Sequence, residues 1–81
     1  MKVTVKLFAT ARETLGTNEI EIAVTDPATV GALRVAIAER YPQLSSLVER
    51  SLFAIDANYA RDEDPLADAT EVACILPVSG G

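Results

Sequence analysis

The period of the hydrophobic residues changes along the chain, and this change constrains the fold more than any other feature of the sequence. Residues 2–8 and 19–24 alternate apolar and polar side chains, the period of a half-buried β-strand. Residues 29–41 instead place apolar side chains every three or four positions, the spacing of an amphipathic helix. The sequence therefore predicts two strands followed by one main helix. The core-facing residues of that helix are Val30, Leu33, Ile37 and Tyr41.

Turn and capping residues delimit these first elements. Residues 9–15 predict a connection with about one helical turn, which stops at Gly16. Thr29 is the candidate N-cap of the main helix, and Pro42 ends that helix. A short helical turn is predicted over residues 45–50.

The second half of the chain predicts three more strands. The third strand covers residues 52–56, and a turn at Asn58 leads to a short edge strand over residues 59–61. The last strand covers residues 71–76 and is limited by Pro77. This order predicts an α+β domain with a ubiquitin-like β-grasp fold, in which a mixed sheet of four to five strands packs on one main helix. We expect the domain to span residues 1–77 and the flexible tail residues 78–81.

Strand alternation also assigns the two faces of the sheet. The side chains predicted to face the core are Val3, Val5, Leu7, Val72, Cys74 and Leu76. Phe8 and Ile75 fall on the opposite, outward face. Two exposed apolar residues on neighbouring central strands predict a partner surface, because such patches on small proteins mark interfaces. A covering loop, or chance exposure, is the alternative.

Composition excludes several classes of function. The net charge is −5, from 12 acidic and 7 basic residues, whereas a nucleic-acid binder needs a positive field. No histidine is present, and the single cysteine, Cys74, is predicted to be a buried core residue rather than a sulfur donor or metal ligand. No apolar run is long enough to span a membrane, and no signal peptide is recognisable, so we expect a cytoplasmic protein.

The candidate chemistry lies at the C-terminus, Gly80-Gly81. Glycine lacks Cβ, so such a tail can enter a narrow channel and leaves its terminal carbonyl open to attack. A frayed end or a cloning remnant is the alternative. Two terminal glycines occur by chance in roughly 0.5% of chains at the average glycine frequency, which favours a functional tail.

Motifs at both ends resemble one family. Leu7-Phe8-Ala9 with Ala11-Arg12-Glu13, and Glu71-Val72-Ala73 with the Pro77–Gly81 tail, resemble the signatures of the molybdopterin synthase small subunit, a sulfur carrier of the ubiquitin-like type. The sequence departs from that pattern in its turns. The departures are at Asp68-Ala69, Asn58-Tyr59 and Leu76-Pro77, where aspartate-glycine, asparagine-glycine and a proline pair are usual.

The resemblance implies a reaction cycle at Gly81. A ubiquitin-activating-type adenylyltransferase would use ATP to adenylate the carboxylate, and a sulfur donor would convert it to a thiocarboxylate. The tail would then enter the large subunit of molybdopterin synthase and supply sulfur to cyclic pyranopterin monophosphate. The complex would be a heterotetramer with its catalytic pocket in the large subunit. Gly81 would be a carried substrate, and this chain would bind no cofactor itself.

The resemblance also suggests which residues contact partners. Val78, Ser79 and Gly80 would thread into the large subunit, while Pro77 would restrict the base of the tail. Arg12 is either a partner contact or a solvated arginine. The acidic residues 62–64 are interpreted as a solvated loop rather than a docking site.

Three rival functions stay open at this point. The chain could be a sulfur carrier for thiamine synthesis, although such carriers lack the Leu7-Phe8-Ala9 signature. It could be a ubiquitin-like modifier, because the same activated glycine can form isopeptide bonds. It could also be a binding module with incidental glycines. Deleting Gly81 would abolish the carrier function but not simple binding.

Overall fold

A computed structural model describes residues 1–25, 27–66 and 71–75 of the chain. It contains a mixed five-stranded sheet in the order β2-β1-β5-β3-β4, which is covered on one face by helices. This is the α+β β-grasp architecture that the sequence predicts. Within the described residues, no helix is long and apolar enough to span a membrane.

The centre of the sheet is a parallel pair formed by the first and last strands. Strand β1 (Lys2–Leu7) pairs parallel with β5 (Glu71–Ile75), with Leu7 opposite Cys74. Strand β2 (Glu19–Ala23) pairs antiparallel with the outer side of β1. Two parallel strands need a long connection that crosses one face of the sheet. The helix α2 (Val30–Arg40) is part of the connection between β1 and β5 and lies on the covered face.

Strands β3 (Leu52–Ile55) and β4 (Asn58–Ala60) form a hairpin whose turn differs from the prediction. The turn is Asp56-Ala57, and Asn58 is already the first residue of β4. Asp56 has a φ of 49° and Ala57 a φ of 72°. Two-residue hairpin turns with positive φ at both residues match the twist of the flanking strands. The turn therefore lies at residues 56–57 rather than at Asn58. Arg61 consequently lies outside the edge strand.

The first connection is more helical than predicted. Residues Ala9–Leu15 form the helix α1, which ends at Gly16 with a φ of 74°. Ala11 is buried and Leu15 packs against the core, so two contact points hold α1 to the sheet. The sequence did not predict the 3-10 turn at Pro42–Leu44, in which Leu44 is buried. The helix α3 (Ser45–Arg50) follows it directly.

The acidic loop, residues 62–64, is hydrogen-bonded to the first turn of α2 as well as being exposed to solvent. The backbone N–H groups of Val30 and Gly31 donate to the carbonyl oxygens of Asp64 (3.0 Å) and Asp62 (2.8 Å). Thr29 caps the same helix by accepting from Ala32 N–H at 3.2 Å, as predicted. A Cβ on Gly31 would lie 3.3 Å from Asp62. Glycine at this position therefore lets the loop approach the helix closely. The loop therefore satisfies N–H groups that the helix itself leaves unpaired.

Arg34 connects the loop, α3 and β3 from its position on α2. Its Nη1 donates to the carbonyl oxygens of Val48 (2.6 Å) and Ser51 (2.8 Å). Its Nη2 and Nε donate to one carboxylate oxygen of Asp62 at 2.8 and 3.2 Å. The guanidinium also lies over the ring of Phe53, 4.9 Å from its centroid. The sequence reading did not identify this arginine.

The core lies between the helices and the covered face of the sheet. The predicted inward residues of β1, β5 and α2 are buried, with the exceptions of Tyr41, which is half-buried at the end of α2, and Leu76, which lies outside the described residues. The largest side chains with less than 2% exposure are Phe53, Leu33, Ile37 and Leu44. Burial of Cys74 raises the pKa of its thiol, although a hydrogen bond with Ser51 opposes the shift. Cys74 is therefore a core residue, as predicted.

Candidate docking surface and C-terminal tail

The parallel pairing of β1 and β5 brings the N-terminal and C-terminal sequence motifs next to each other. Leu7 lies opposite Cys74, so the next residues, Phe8 and Ile75, follow at the same end of the sheet. Both line one surface cavity of about 300 Å³ on the open face. The structure therefore places these two predicted interface residues side by side.

The apolar half of the open face extends beyond Phe8 and Ile75. Leu52 pairs with Ile75, and Tyr59 pairs with Ala54. Phe8 is 44% exposed, Leu52 45% and Tyr59 72%. We call this region the docking surface. It consists of Phe8, Leu52, Ala54, Tyr59, Ala73 and Ile75.

Sequence reasoning missed Leu52 and Tyr59. Alternation within β3 would have put Leu52 on the face opposite the fully buried Phe53, and this signal was available in the sequence. The position of Tyr59 needs the register of the β3–β4 hairpin, which depends on the turn at residues 56–57. With the turn at its observed position, Tyr59 falls on the open face.

An ion pair borders the docking surface on its β1 side. Lys6 Nζ lies 2.9 Å from a carboxylate oxygen of Glu71, across the parallel strands. The hydrogen bond and charge of Glu71 raise the pKa of Lys6 above 10.5, so this side chain is charged at neutral pH. The charged half of the open face continues onto β2 with Glu19 and Glu21. The open face is thus apolar toward β4 and charged toward β2.

Arg12 lies next to the docking surface on the exposed side of α1. It shares a cavity of about 260 Å³ with Phe8, Lys6 and Glu19. Among the residues that the structure describes, no carboxylate forms an ion pair with Arg12. The arrangement can present a guanidinium to a partner that covers Phe8. A role of Arg12 in binding stays a prediction.

The remaining predicted site residues lie outside the described residues. These residues are Pro77, Val78, Ser79, Gly80 and Gly81. The described chain ends at Ile75, on the docking surface, so the six residues that follow it begin there. No group of side chains suited to a metal ion occurs in residues 1–25, 27–66 and 71–75.

Comparison with known proteins agrees with the resemblance at the two ends of the chain. Residues 5–81 match the ThiS family. The chain is 37% identical over 83 residues to the molybdopterin synthase sulfur carrier subunit of Chlamydomonas reinhardtii, covering 100% of both chains. It is 40% identical over 78 residues to the subunit of the same name from Dictyostelium discoideum, covering 93% of this chain and 91% of the relative.

A solved structure gives the same fold. Small archaeal modifier protein 1 from Haloferax volcanii is similar with a TM-score of 0.83 and 26% identity, covering 95% of this chain and 98% of that chain. The match to the family model begins within β1 and covers the other strands, the helices and the Gly-Gly terminus. The chain therefore belongs to the ThiS family.

Proposed function

We propose that this chain is the sulfur carrier subunit of a molybdopterin synthase. The observation that carries the proposal is the identity of 32–40% to five molybdopterin synthase sulfur carrier subunits. The parallel β1–β5 pair supports it, because the chain leaves the sheet beside an exposed apolar surface. A partner covering that surface would receive the C-terminal glycines.

The proposed chemistry takes place at the carboxylate of Gly81. A carboxylate resists attack because oxide is a poor leaving group. Adenylation with ATP releases pyrophosphate and gives an acyl adenylate, whose leaving group is AMP. Sulfide from a donor then displaces AMP to form the thiocarboxylate. This sulfur is transferred to cyclic pyranopterin monophosphate inside the large subunit, and hydrolysis of the acyl–sulfur bond by water returns Gly81 to a carboxylate. In this proposal the chain itself needs no bound cofactor, ATP is bound by the activating enzyme, and the cycle takes place in the cytoplasm.

Mass spectrometry tests the proposed modification. Protein incubated with a ubiquitin-activating-type adenylyltransferase, ATP and a sulfur donor should gain about 16 Da when oxygen is replaced by sulfur. A variant that lacks Gly81 serves as the control and should gain nothing. If the intact chain never shows the heavier species under these conditions, the sulfur carrier proposal is wrong.

The large subunit is the proposed occupant of the docking surface. Phe8→Ala and Tyr59→Ala should each weaken its binding by about tenfold, because truncated aromatic anchors at interfaces often cost more than 1 kcal/mol. Val35→Ala is the matched control, since Val35 is 57% exposed but lies on α2, which packs on the other face of the sheet. Titration calorimetry that shows equal affinities for all three variants would contradict this use of the surface.

A ubiquitin-like modifier is the second candidate function. The similarity to small archaeal modifier protein 1, at 26% identity, favours it. A modifier would join Gly81 to lysines of other proteins by isopeptide bonds. Immunoblots of cells expressing a tagged chain would then show higher-mass conjugates that survive thiol reduction and disappear when Gly81 is deleted. A carrier alone would show the thiocarboxylate without these conjugates.

A further inference from the structure

The chain contains few amino groups that can react with an activated carboxyl group. Its sequence has two lysines, Lys2 and Lys6, and the other five basic residues are arginines. The nitrogen of Met1 is a further amine. An amine in its neutral form can attack an activated acyl group, whereas a guanidinium stays protonated. These three amines are therefore the acceptors that the chain offers to an activated Gly81.

Two of the three amines are held by neighbouring groups. Lys6 Nζ lies 2.9 Å from a carboxylate oxygen of Glu71. The hydrogen bond with Glu71, and then its charge, raise the pKa of Lys6 and so lower the fraction of neutral amine that can attack. The Met1 nitrogen donates to the carbonyl oxygen of Val24 at 2.9 Å. Each of these amines has to break a contact before it can react.

The third amine, on Lys2, is held by no such contact. Lys2 is exposed, and among the described residues no carboxylate forms an ion pair with it. It lines a cavity of about 280 Å³. The other lining residues are Glu21, Ile22, Ala23, Ala36 and Arg40. Because two of them are alanines with short side chains, the recess beside Lys2 can admit a chain end that consists of glycine.

Lys2 also lies far from the docking surface. It is the first residue of β1, whereas Phe8 follows the last one, and six residue steps of a strand span about 20 Å. Lys6 instead lines the cavity of the docking surface, where a bound partner would approach it. A partner on the docking surface therefore leaves Lys2 accessible.

We propose that Lys2 is the acceptor for the activated Gly81 of a second copy of this chain. The inference rests on the adenylation step of the proposed function and adds a second fate for the adenylate. Lys2 Nζ attacks the acyl carbon of Gly81, so a C–N bond forms while the C–O bond to AMP breaks. AMP leaves with the electron pair of that bond. Nζ passes two protons to water as the ammonium group becomes an amide, and no oxidant or reductant is needed.

The position of Lys2 favours a second copy over the same chain as the acceptor. The six residues after Ile75 begin at the end of the sheet opposite to Lys2. They extend by roughly 20 Å, and all of this length would be needed to return along the sheet. A Gly81 that is held by the activating enzyme cannot turn back in this way. A second copy is present wherever the chain is activated, and its Lys2 can approach from outside.

Incubation with the activating enzyme and ATP, without a sulfur donor, tests the proposal. Intact-mass spectrometry should show a covalent dimer, about 18 Da lighter than two chains, that survives thiol reduction. Lys2→Arg keeps the charge and should abolish the dimer, whereas the matched control Lys6→Arg should form it as the wild type does. Mixing Lys2→Arg with a chain that lacks Gly81 should restore a dimer, because one partner supplies the glycine and the other the lysine.

Tryptic digestion locates the acceptor within the dimer. No lysine or arginine follows Arg61, so trypsin leaves residues 62–81 attached to the acceptor. With Lys2 as acceptor, this segment should be joined to residues 1–6, which stay uncleaved after Lys2. With Lys6 as acceptor it would be joined to residues 3–12, and this product would overturn the assignment.

A parallel reaction with a sulfur donor separates this inference from the proposed function. Lys2→Arg should form the thiocarboxylate as the wild type does. A thiocarboxylate without any dimer in the first reaction, or a dimer that persists in Lys2→Arg, would overturn the role of Lys2 and leave the sulfur carrier function intact. A monomer about 18 Da lighter than the chain would show closure within one chain and overturn the role of the second copy. Absence of both products would refute the adenylation of Gly81 and this inference with it.

Discussion

Removing the Arg34 side chain should destabilise the fold more than removing any other charged side chain that the structure describes. Arg34 is 20% exposed in its pair with Asp62, and it donates to the carbonyl oxygens of Val48 and Ser51 at 2.6 and 2.8 Å. In Arg34→Ala these two part-buried carbonyls lose a charged donor. The ring of Phe53 also loses the cation that lies 4.9 Å from its centroid.

The expected loss follows from these contacts. Each carbonyl that loses its donor costs about 1 kcal/mol or more. The contact with Phe53 adds about 0.5–1 kcal/mol. The pair with Asp62 adds less than about 1 kcal/mol, because the Asp62 side chain is 58% exposed and water screens it. We expect Arg34→Ala to lower the free energy of unfolding by about 3 kcal/mol, which corresponds to a fall in Tm of roughly 12–24 °C for a domain of this size.

Urea unfolding followed by far-ultraviolet circular dichroism measures this loss. Asp62→Asn removes the ion pair but keeps the carbonyl contacts, so it should cost less than about 1 kcal/mol. Arg34→Lys keeps the charge but lacks the planar fork, and it should lose about 2 kcal/mol. Arg50→Ala is the control, because among the described residues the Arg50 side chain has one hydrogen bond, of 3.4 Å to the carbonyl oxygen of Ser46, and its loss should change stability by less than about 0.5 kcal/mol.

The ranking of the variants can refute this reasoning. If Asp62→Asn costs as much as Arg34→Ala, the exposed ion pair dominates and the carbonyl contacts contribute little. If Arg34→Ala costs less than about 1 kcal/mol, the four contacts do not act together in solution. Either outcome would remove Arg34 as the connection between α2, α3 and the acidic loop.

Two further predictions concern the turn and the buried thiol. Ala57→Gly should raise the free energy of unfolding by about 0.5–1 kcal/mol, because Ala57 has a φ of 72° that glycine adopts without a Cβ clash, and an unchanged urea midpoint would contradict this. Burial raises the pKa of Cys74 above 9.0, so the unfolded chain loses the thiol proton first as the pH rises. The stabilising contribution is therefore complete below pH 9.0 and is lost as the pH rises through the folded-state pKa. Between pH 8 and pH 10 the wild type should lose more stability than Cys74→Ala, and equal losses would show that the thiol is not the cause.

The sequence predicted the parts of the fold that depend on local periodicity. Alternation located β1, β2 and β5, and helical spacing located α2 with its cap at Thr29. It also put Phe8 and Ile75 on one face, because the central parallel pair follows from the order of the elements. These predictions needed no knowledge of contacts between distant residues.

The missed features depend on contacts between distant segments. The partners of Arg34 lie 14 to 28 residues away, and nothing near it in sequence marks them. Tyr59 faces the docking surface only because the turn is at Asp56-Ala57, whereas the sequence signal favoured a turn at Asn58. The sequence predicts a solvated acidic loop because the contacts of this loop with α2 use backbone carbonyl oxygens, which any residue provides. Composition cannot reveal such backbone pairing.

The length of the tail links the docking surface to the chemistry at Gly81. Six residues follow Ile75, and a chain extends by at most about 3.6 Å per residue, so Gly81 can reach roughly 20 Å from the docking surface. Deleting Ser79 keeps the Gly-Gly end but shortens this reach by about 3.5 Å. The deletion should leave the affinity of the docking surface nearly unchanged, yet lower sulfur transfer in a single-turnover assay by at least about 100-fold, because a 1 Å misplacement of reacting groups can already have that effect. Restoring the length with alanine in place of Ser79 should restore transfer. If the shortened chain transfers sulfur at the normal rate, the docking surface does not fix the position of Gly81.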